Sequence, residues 1–309
     1  MKLSIVTTLY NSEHFINEFY ERITKEAKKF TDDYELIFVS DGSPDNALHK
    51  AVELHEKDIH VNVVNLSRNY GHHQAIMSGL EQAEGELVFL IDSDLEEEPE
   101  ILKDFLEELL SDDSVDVVYG VQKSRKGKWF ERASGNVFWK IFNILSHIKI
   151  SENPLTVRLM KKQYVDSLIQ FKEKELFLAG VFKLVGFNQK SLEIVKLSSD
   201  MSNYSLIKKL QLLNNAIISF SAYPLLISFY VGLLISTFSF FYGIILIINK
   251  LMFNSITSGW TSMMVSIWFL SGVLLLSIGI IGMYLSKIYS EIKNRPVITK
   301  RVYKGDYSE

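Results

Sequence analysis

Two long stretches near the C-terminus of this 309-residue chain carry no charged side chain. Residues 210–249 and 251–286 contain no Asp, Glu, Lys, Arg or His, and Lys250 alone separates them. Because a helix needs roughly 20 apolar residues to cross a bilayer, the sequence predicts two transmembrane helices, near residues 223–248 and 264–286. The alternative, a helical hairpin buried inside a soluble protein, is disfavoured at these lengths.

The basic residues around these stretches predict an orientation. The loop between the two stretches offers only Lys250, whereas the segment after the second one contains Lys287, Lys293, Arg295, Lys300, Arg301 and Lys304. Since short basic segments stay in the cytoplasm, we expect a multi-pass protein of the inner (cytoplasmic) membrane with both termini on the cytoplasmic side. The N-terminus passes directly into a strand-like pattern, so no signal peptide is expected.

Composition narrows the class of partner. The net charge of −4 indicates no nucleic-acid partner, because nucleic-acid surfaces attract basic domains. The chain contains no cysteine, which excludes disulfides, thiolate metal sites and a cysteine nucleophile.

The first 200 residues alternate short apolar runs with longer amphipathic segments. The runs predict strands at residues 3–8, 35–40, 61–66, 87–92 and 115–121, and the segments predict helices at 13–30, 45–57, 72–83 and 100–110. This alternation is typical of an α/β domain with a mostly parallel sheet. Right-handed crossovers then place the carboxyl ends of the strands at one edge.

An acidic cluster follows the fourth predicted strand. Asp92, Ser93 and Asp94 come where an open α/β sheet binds its ligands. Their carboxylates repel one another, which favours a divalent cation that bridges to a substrate phosphate. The alternative is a solvated acidic turn that caps the next helix. Polar residues also follow the other predicted strands, at 10–11, 41–45 and 67–71.

Two further segments suggest contact with a membrane surface. Residues 123–150 mix Lys and Arg with Trp and Phe, a pattern typical of a helix lying on a bilayer. An ordinary helix packed on the sheet is the alternative. Residues 201–221 are expected to form a second interfacial helix. The predicted organisation is a catalytic domain at 1–200, this interfacial helix, a two-helix membrane hairpin at 222–290 and a basic cytosolic tail at 291–309.

Several motifs together resemble the family 2 glycosyltransferases of GT-A fold. The resemblance rests on the segments at residues 4–6, 10–11, 40–45, 66–71, 92–95, 117–120, 158–160, 180–187, 202–204 and 282–296. It is greatest to the polyprenyl-phosphate branch, the dolichol-phosphate mannose synthases and bacterial undecaprenyl-phosphate glucosyltransferases. It implies inverting transfer of a monosaccharide from a nucleotide sugar, here a UDP-sugar, to undecaprenyl phosphate for surface glycans, with Mg²⁺ or Mn²⁺ as cofactor.

The resemblance also implies roles for individual residues. Asp94, with Asp92, would bind the metal. The donor nucleotide sugar would contact Thr8, Tyr10, Asp41, Arg68, Asp92 and Ser93. The catalytic set would be Asp94, Arg158, Arg132 and Ser134, with Arg132 and Ser134 at the acceptor phosphate.

The chain departs from the family pattern at two positions near this set. Thr156 stands where many members have an Asp, a candidate base, and Gln122 stands where an Arg is expected. An acceptor phosphate is largely ionised near neutral pH, since its second pKa is about 6. It therefore needs little or no general base.

Three questions stay open in the sequence. The departures allow a non-catalytic membrane adaptor that only binds nucleotide or lipid. A processive polysaccharide synthase is disfavoured, because no Trp follows an Arg as its Gln-x-x-Arg-Trp element requires. A homo-oligomer is suggested by glycines that could permit close helix approach, namely Gly232, Gly243, Gly272, Gly279 and Gly282.

Overall fold

The computed structural model of the protein describes residues 1–122, 154–174, 177–195, 223–253, 259–293 and 295–305. The predicted surface helix at 123–150 and the interfacial helix at 201–221 lie outside these residues, as do Arg132 and Ser134.

The described N-terminal residues and the C-terminal tail together form one sheet of eight strands. The strands are β1 Leu3–Leu9, β2 Tyr34–Ser40, β3 Val61–Leu66, β4 Leu87–Leu90, β5 Val117–Gln122, β6 Pro154–Lys161, β7 Gln189–Ile194 and β8 Thr299–Tyr303. Their order in the sheet is β7-β5-β6-β4-β1-β2-β3-β8. β6 and β8 run antiparallel to their neighbours, and the other strands share one direction. The predicted mostly parallel α/β sheet is confirmed.

Helices cover both faces of the sheet. They are α1 Ile16–Ala27, α2 Ala47–Lys57, α3 His72–Leu80, α4 Leu102–Leu110, α5 Lys162–Leu168 and α6 Leu178–Leu184, with a short 3₁₀ turn at Pro99–Ile101 before α4. Ile5 packs in the core beneath α1 and α4, whereas Val6 packs in the core beneath α3. Burial on both faces explains why the central strands are continuously apolar rather than alternating.

A glycine lets α3 lie close against the sheet. A Cβ atom at Gly79 would lie 2.5 Å from Cγ1 of Val6 and 2.7 Å from Cγ2 of Val39. Any side chain here would therefore push α3 away from β1 and β2. The close packing holds the start of α3, at His72, beside the ends of these strands.

The C-terminal tail forms a strand at one edge of the sheet, and the sequence pattern did not predict this strand. β8 pairs with β3, and Nζ of Lys304 lies 2.5 Å from a carboxylate oxygen of Glu84. The strand is short, exposed and rich in Lys and Arg, as edge strands often are, so it lacks an apolar pattern. The predicted cytosolic tail is thus partly a structural element of the N-terminal domain.

Within the described ranges, two helices are long and apolar enough to cross a bilayer. α7 spans Tyr223–Phe253 and α8 spans Trp260–Lys293, longer than the predicted spans. Their apolar side chains are exposed, with Trp268 at 76% and Leu234 at 70%. Such surfaces are incompatible with a hairpin buried in this protein, because a soluble protein rarely exposes a large contiguous apolar patch.

α7 and α8 contact each other through a hydroxyl pair rather than through glycines. Ser228 Oγ donates a hydrogen bond to Ser277 Oγ at 2.8 Å. A Cβ atom at Gly232, Gly272, Gly279 or Gly282 would meet nothing within 4 Å. These four glycines therefore do not mediate close packing between the two helices. Their predicted use between protomers stays a prediction.

Candidate active site

The acidic cluster lies at the end of β4, at the predicted edge of the sheet. Ser93 is only 3% exposed, and its hydroxyl donates to the backbone oxygen of Thr8 at 2.9 Å. This bond fixes the chain after β4 against the end of β1. Asp92 and Asp94, on either side of Ser93, are both partly exposed. Ser93 is thus an anchor, and the two carboxylates are accessible from solvent.

The backbone turns sharply directly after the second carboxylate. Leu95 has φ of +59°, in the left-handed region, and its side chain packs against the core. This conformation costs a non-glycine residue roughly 1–2 kcal/mol. Asp94 Oδ1 accepts a hydrogen bond from the Glu96 N–H at 3.0 Å, which stabilises the turn. Strained backbone of this kind is concentrated at functional sites.

His72 belongs to the same site. Its Nε2 atom lies 3.5 Å from Oδ1 of Asp92, and its Nδ1 atom lies 3.1 Å from Oγ1 of Thr8. The ring therefore lies between the ends of β1 and β4. The sequence offered only its place at the start of a helix, after Gly71, as a signal.

Asp41 braces the loop that follows β3. It is 2% exposed, and its two oxygens accept hydrogen bonds from the N–H groups of Tyr70 at 2.7 Å and Gly71 at 3.0 Å. Burial raises the pKa of Asp41, while these two hydrogen bonds oppose that rise. The predicted contact with a nucleotide base stays a prediction.

The loops after β1, β2 and β3 contact one another. Ser43 Oγ accepts from the Asn11 N–H at 2.9 Å and donates to Asp45. Although burial opposes ionisation of Asp45, hydrogen bonds from Ser43 and from backbone N–H groups lower its pKa. Gly42, with φ of +60°, approaches the Arg68–Asn69 backbone so closely that a Cβ atom would lie 2.5 Å from the Asn69 nitrogen.

Two side chains that are predicted to contact the nucleotide, Tyr10 and Arg68, lie on these loops and are accessible to solvent. Tyr10 is half exposed, and Arg68 is exposed with its guanidinium carbon 4.0 Å from the centre of the Tyr70 ring. An aromatic ring and a guanidinium are both suited to stacking on a base.

Arg158 is buried under α6. It is 3% exposed, with its guanidinium carbon 3.1 Å from the centre of the Phe182 ring. Nε donates to the carbonyl of Thr156 at 3.0 Å, and Nη2 donates to that of Leu155 at 3.2 Å. Burial lowers its pKa to about 10, so it stays charged at neutral pH. In this arrangement Arg158 supports the start of β6, and its predicted phosphate contact stays a prediction.

The pairing of β4 with β6 ends just before the position where many members of the family have an Asp. Leu90 in β4 pairs with Arg158 in β6, the last pair of the two strands. Asp92 follows Leu90 by two residues, and Thr156 precedes Arg158 by two residues, so both lie beyond this pair.

The donor set fits a hard divalent cation that is shared with a ligand. Asp92 and Asp94 offer carboxylate oxygens, which Mg²⁺ and Mn²⁺ prefer. Over the residues the structure describes, no three His, Asp or Glu side chains converge to hold an ion by themselves. A cation here would take its remaining ligands from water and substrate phosphates, as Mg²⁺ commonly does.

Comparisons with known proteins address the family and the fold of this chain. The family profile "Glycosyl transferase family 2" matches residues 4–169. A Mycobacterium tuberculosis protein named as a glycosyltransferase is 44% identical over 307 residues, 99% of this chain and 90% of its own. The bactoprenol glucosyl transferase of Shigella phage SfII is 32% identical over 309 residues, 99% of this chain and 100% of its own. A crystal structure of a mycobacterial protein shares the fold, with TM-score 0.50, 17% identity and coverage of 70% and 72%.

Proposed function

This chain belongs to glycosyltransferase family 2, and we propose that it transfers a monosaccharide from a UDP-sugar to undecaprenyl phosphate at the cytoplasmic face of the inner membrane. The observation that carries this proposal is that one chain combines two exposed apolar helices with a domain that presents Asp92 and Asp94 at the end of β4. The product, a lipid-linked sugar, would supply surface glycan synthesis or modification. The relative that acts on bactoprenol supports the lipid acceptor.

The β8–β3 pairing supports the proposed orientation. Only residues 294–298 separate the end of α8 from β8. The N-terminal domain and the end of the second membrane helix therefore lie on the same side of the bilayer. The basic residues of this segment favour the cytoplasm.

The proposed chemistry is a single displacement at the anomeric carbon. A phosphate oxygen of the acceptor forms the new bond to this carbon as the bond to the donor diphosphate breaks, which inverts the configuration. Asp94 and Asp92 would hold Mg²⁺ or Mn²⁺, which when bound neutralises charge on the diphosphate leaving group. The acceptor is already ionised, so Thr156 in place of an Asp is compatible with catalysis.

The remaining residues would bind and orient the substrates. Tyr10 and Arg68 would contact the nucleotide directly, whereas Asp41, Ser93 and Thr8 would act mainly by holding the loops in place. We propose that Arg132 and Ser134 bind the acceptor phosphate. Arg158 would position the backbone at Thr156 or contact the phosphates directly.

A donor screen tests this function. The full-length protein in nanodiscs with undecaprenyl phosphate is incubated with Mn²⁺ or Mg²⁺ and a panel of UDP- and GDP-sugars, and lipid products are detected by mass spectrometry. We expect one UDP-sugar to give a polyprenyl-phosphate monosaccharide. UDP binding without product from any donor would instead favour the adaptor alternative.

The orientation can be tested by cysteine labelling, because the chain contains no native cysteine. Glu53, exposed on α2, and Gly259, at the start of α8, are each replaced by Cys. We expect a membrane-impermeant maleimide to label Gly259→Cys in spheroplasts, and Glu53→Cys only after the membrane is permeabilised. The reverse pattern would place the catalytic domain outside the cytoplasm.

A further inference from the structure

The peptide that joins Glu173 to Lys174 is held between a membrane helix and the catalytic domain. Both carboxylate oxygens of Glu291 in α8 accept a hydrogen bond from the Lys174 N–H, at 3.0 and 3.1 Å. From the other side, Nε2 of Gln74 in α3 donates to the carbonyl oxygens of Glu173 at 2.8 Å and Lys174 at 3.1 Å. We call this contact the Gln74–Glu291 joint.

α8 is long enough to reach out of the bilayer to this joint. Its 34 residues extend about 51 Å at 1.5 Å per residue, whereas the hydrocarbon core is about 30 Å thick. Lys287, Glu291 and Lys293 lie in its last two turns, and charged side chains are costly within hydrocarbon. The end of α8 therefore projects from the membrane as a rigid extension.

The first turn of α3 connects the joint to the carboxylate cluster. Gln74 and His72 lie in the first turn of α3. His72 in turn lies 3.5 Å from Asp92 and 3.1 Å from Thr8. A single helical turn thus connects the membrane helix to the site of sugar transfer.

The joint uses the backbone of Glu173 and Lys174 rather than their side chains. Burial raises the pKa of Glu173, Lys287 opposes this rise and Glu291 adds to it. The hydrogen bonds of the joint involve only backbone atoms of Glu173 and Lys174, so they do not depend on the charge of the Glu173 side chain. Changes to either side chain should leave the joint in place.

We propose that the Gln74–Glu291 joint fixes the catalytic domain on the membrane helix, so that the carboxylate cluster meets an acceptor phosphate at the bilayer surface. This role rests on the proposed function. Gln74 and Glu291 are positioning residues, since each acts through the 173–174 peptide. A misplacement of about 1 Å at a reacting centre can cost about 10²-fold in rate.

The first test compares two acceptors, undecaprenyl phosphate in nanodiscs and a short water-soluble prenyl phosphate. We expect Gln74→Ala and Glu291→Ala to lower kcat/KM at least ~10-fold for the bilayer acceptor and less than ~2-fold for the short one. UDP binding should be unchanged. Lys174→Ala, which keeps the backbone groups, is the matched control, and Glu291→Gln should lose less because it keeps an acceptor oxygen.

Equal losses on both acceptors would overturn the proposal, because a general defect in folding or catalysis does not distinguish them. Unchanged activity on the bilayer acceptor in both alanine variants would also overturn it.

A second test does not depend on activity. Spin labels are placed at Glu53→Cys and Ile281→Cys in nanodiscs, and their distance distribution is measured by double electron–electron resonance. We expect a broader distribution in Gln74→Ala and Glu291→Ala, and no change in Lys174→Ala. If the protein with the unmodified joint transfers no sugar at all, the proposed function fails. The distance measurement still tests whether the joint fixes the catalytic domain on the membrane helix. An unchanged width in both variants would refute the joint.

Discussion

Asp94→Ala is expected to reduce sugar transfer by at least ~10²–10³-fold, the usual cost of removing a group that stabilises a developing negative charge. Asp94 directly follows Ser93, whose hydroxyl donates a hydrogen bond to the backbone oxygen of Thr8 at 2.9 Å. It is therefore held in place before substrate binds. Without the Asp94 carboxylate, the proposed cation at the donor diphosphate loses one of its protein ligands. The measurement is lipid product formed against metal concentration.

A conservative variant separates the charge of Asp94 from its structural contact. Asp94 Oδ1 accepts the Glu96 N–H at 3.0 Å, so alanine also weakens the turn at Leu95. Asp94→Asn keeps one acceptor oxygen, removes the charge and replaces the other oxygen with an NH₂ group. We expect it to lose nearly as much activity as alanine, with an unchanged Tm.

Glu98→Gln is the matched control within the same acidic segment. Its side chain is 54% exposed and lies 4.0 Å from Arg22, an exposed pair that contributes little. Activity should be unaffected. Full activity in Asp94→Asn would show that Asp94 is not a metal ligand. An equal loss of activity in Glu98→Gln would show that the effect comes from the net charge of the acidic segment.

The sequence predicted β1 to β5 but did not predict β6, β7 or β8. The first five strands were found because both faces of the sheet are covered, which makes each strand a continuous apolar run. β8 was missed because Lys300 and Arg301 interrupt its short run and its partner, β3, is more than 200 residues away. Pairing between segments so far apart in the chain leaves no local pattern in the sequence.

The site was predicted as a set of positions but not as a set of orientations. Asp41, Ser93 and Tyr10 all follow strands, yet Asp41 and Ser93 are buried and Tyr10 is half exposed. The direction of each side chain depends on which neighbouring loop it hydrogen-bonds, and this cannot be seen in the local sequence pattern. His72 illustrates the reverse case: its ring lies beside Asp92 because α3 packs against β1 and β2, a contact between elements that no local sequence pattern shows.

Gly42→Ala is expected to destabilise the protein by about 2–5 kcal/mol, from left-handed strain of about 1–2 kcal/mol together with overpacking of about 1–3 kcal/mol. Its φ is +60°, and the added Cβ would lie 2.5 Å from the Asn69 nitrogen and 2.6 Å from the Arg68 carbonyl carbon. Both atoms belong to the backbone, so the loop after β3 must move. Because that loop carries Arg68 and is braced by Asp41, UDP affinity should fall by ~10-fold, about 1.4 kcal/mol.

Gly186→Ala isolates the strain from the clash. Gly186 has φ of +79°, and a Cβ atom there would meet nothing within 4 Å. Gly186→Ala should therefore lose only the strain, about 1–2 kcal/mol of stability, without any effect on UDP affinity. Unfolding midpoints and calorimetric titration with UDP measure both quantities in the two variants. If Gly42→Ala matches Gly186→Ala in stability and in UDP binding, the loops after β2 and β3 do not form one nucleotide-binding surface. If only Gly42→Ala weakens UDP binding, the contact between these loops shapes that surface, because the strain is common to both variants.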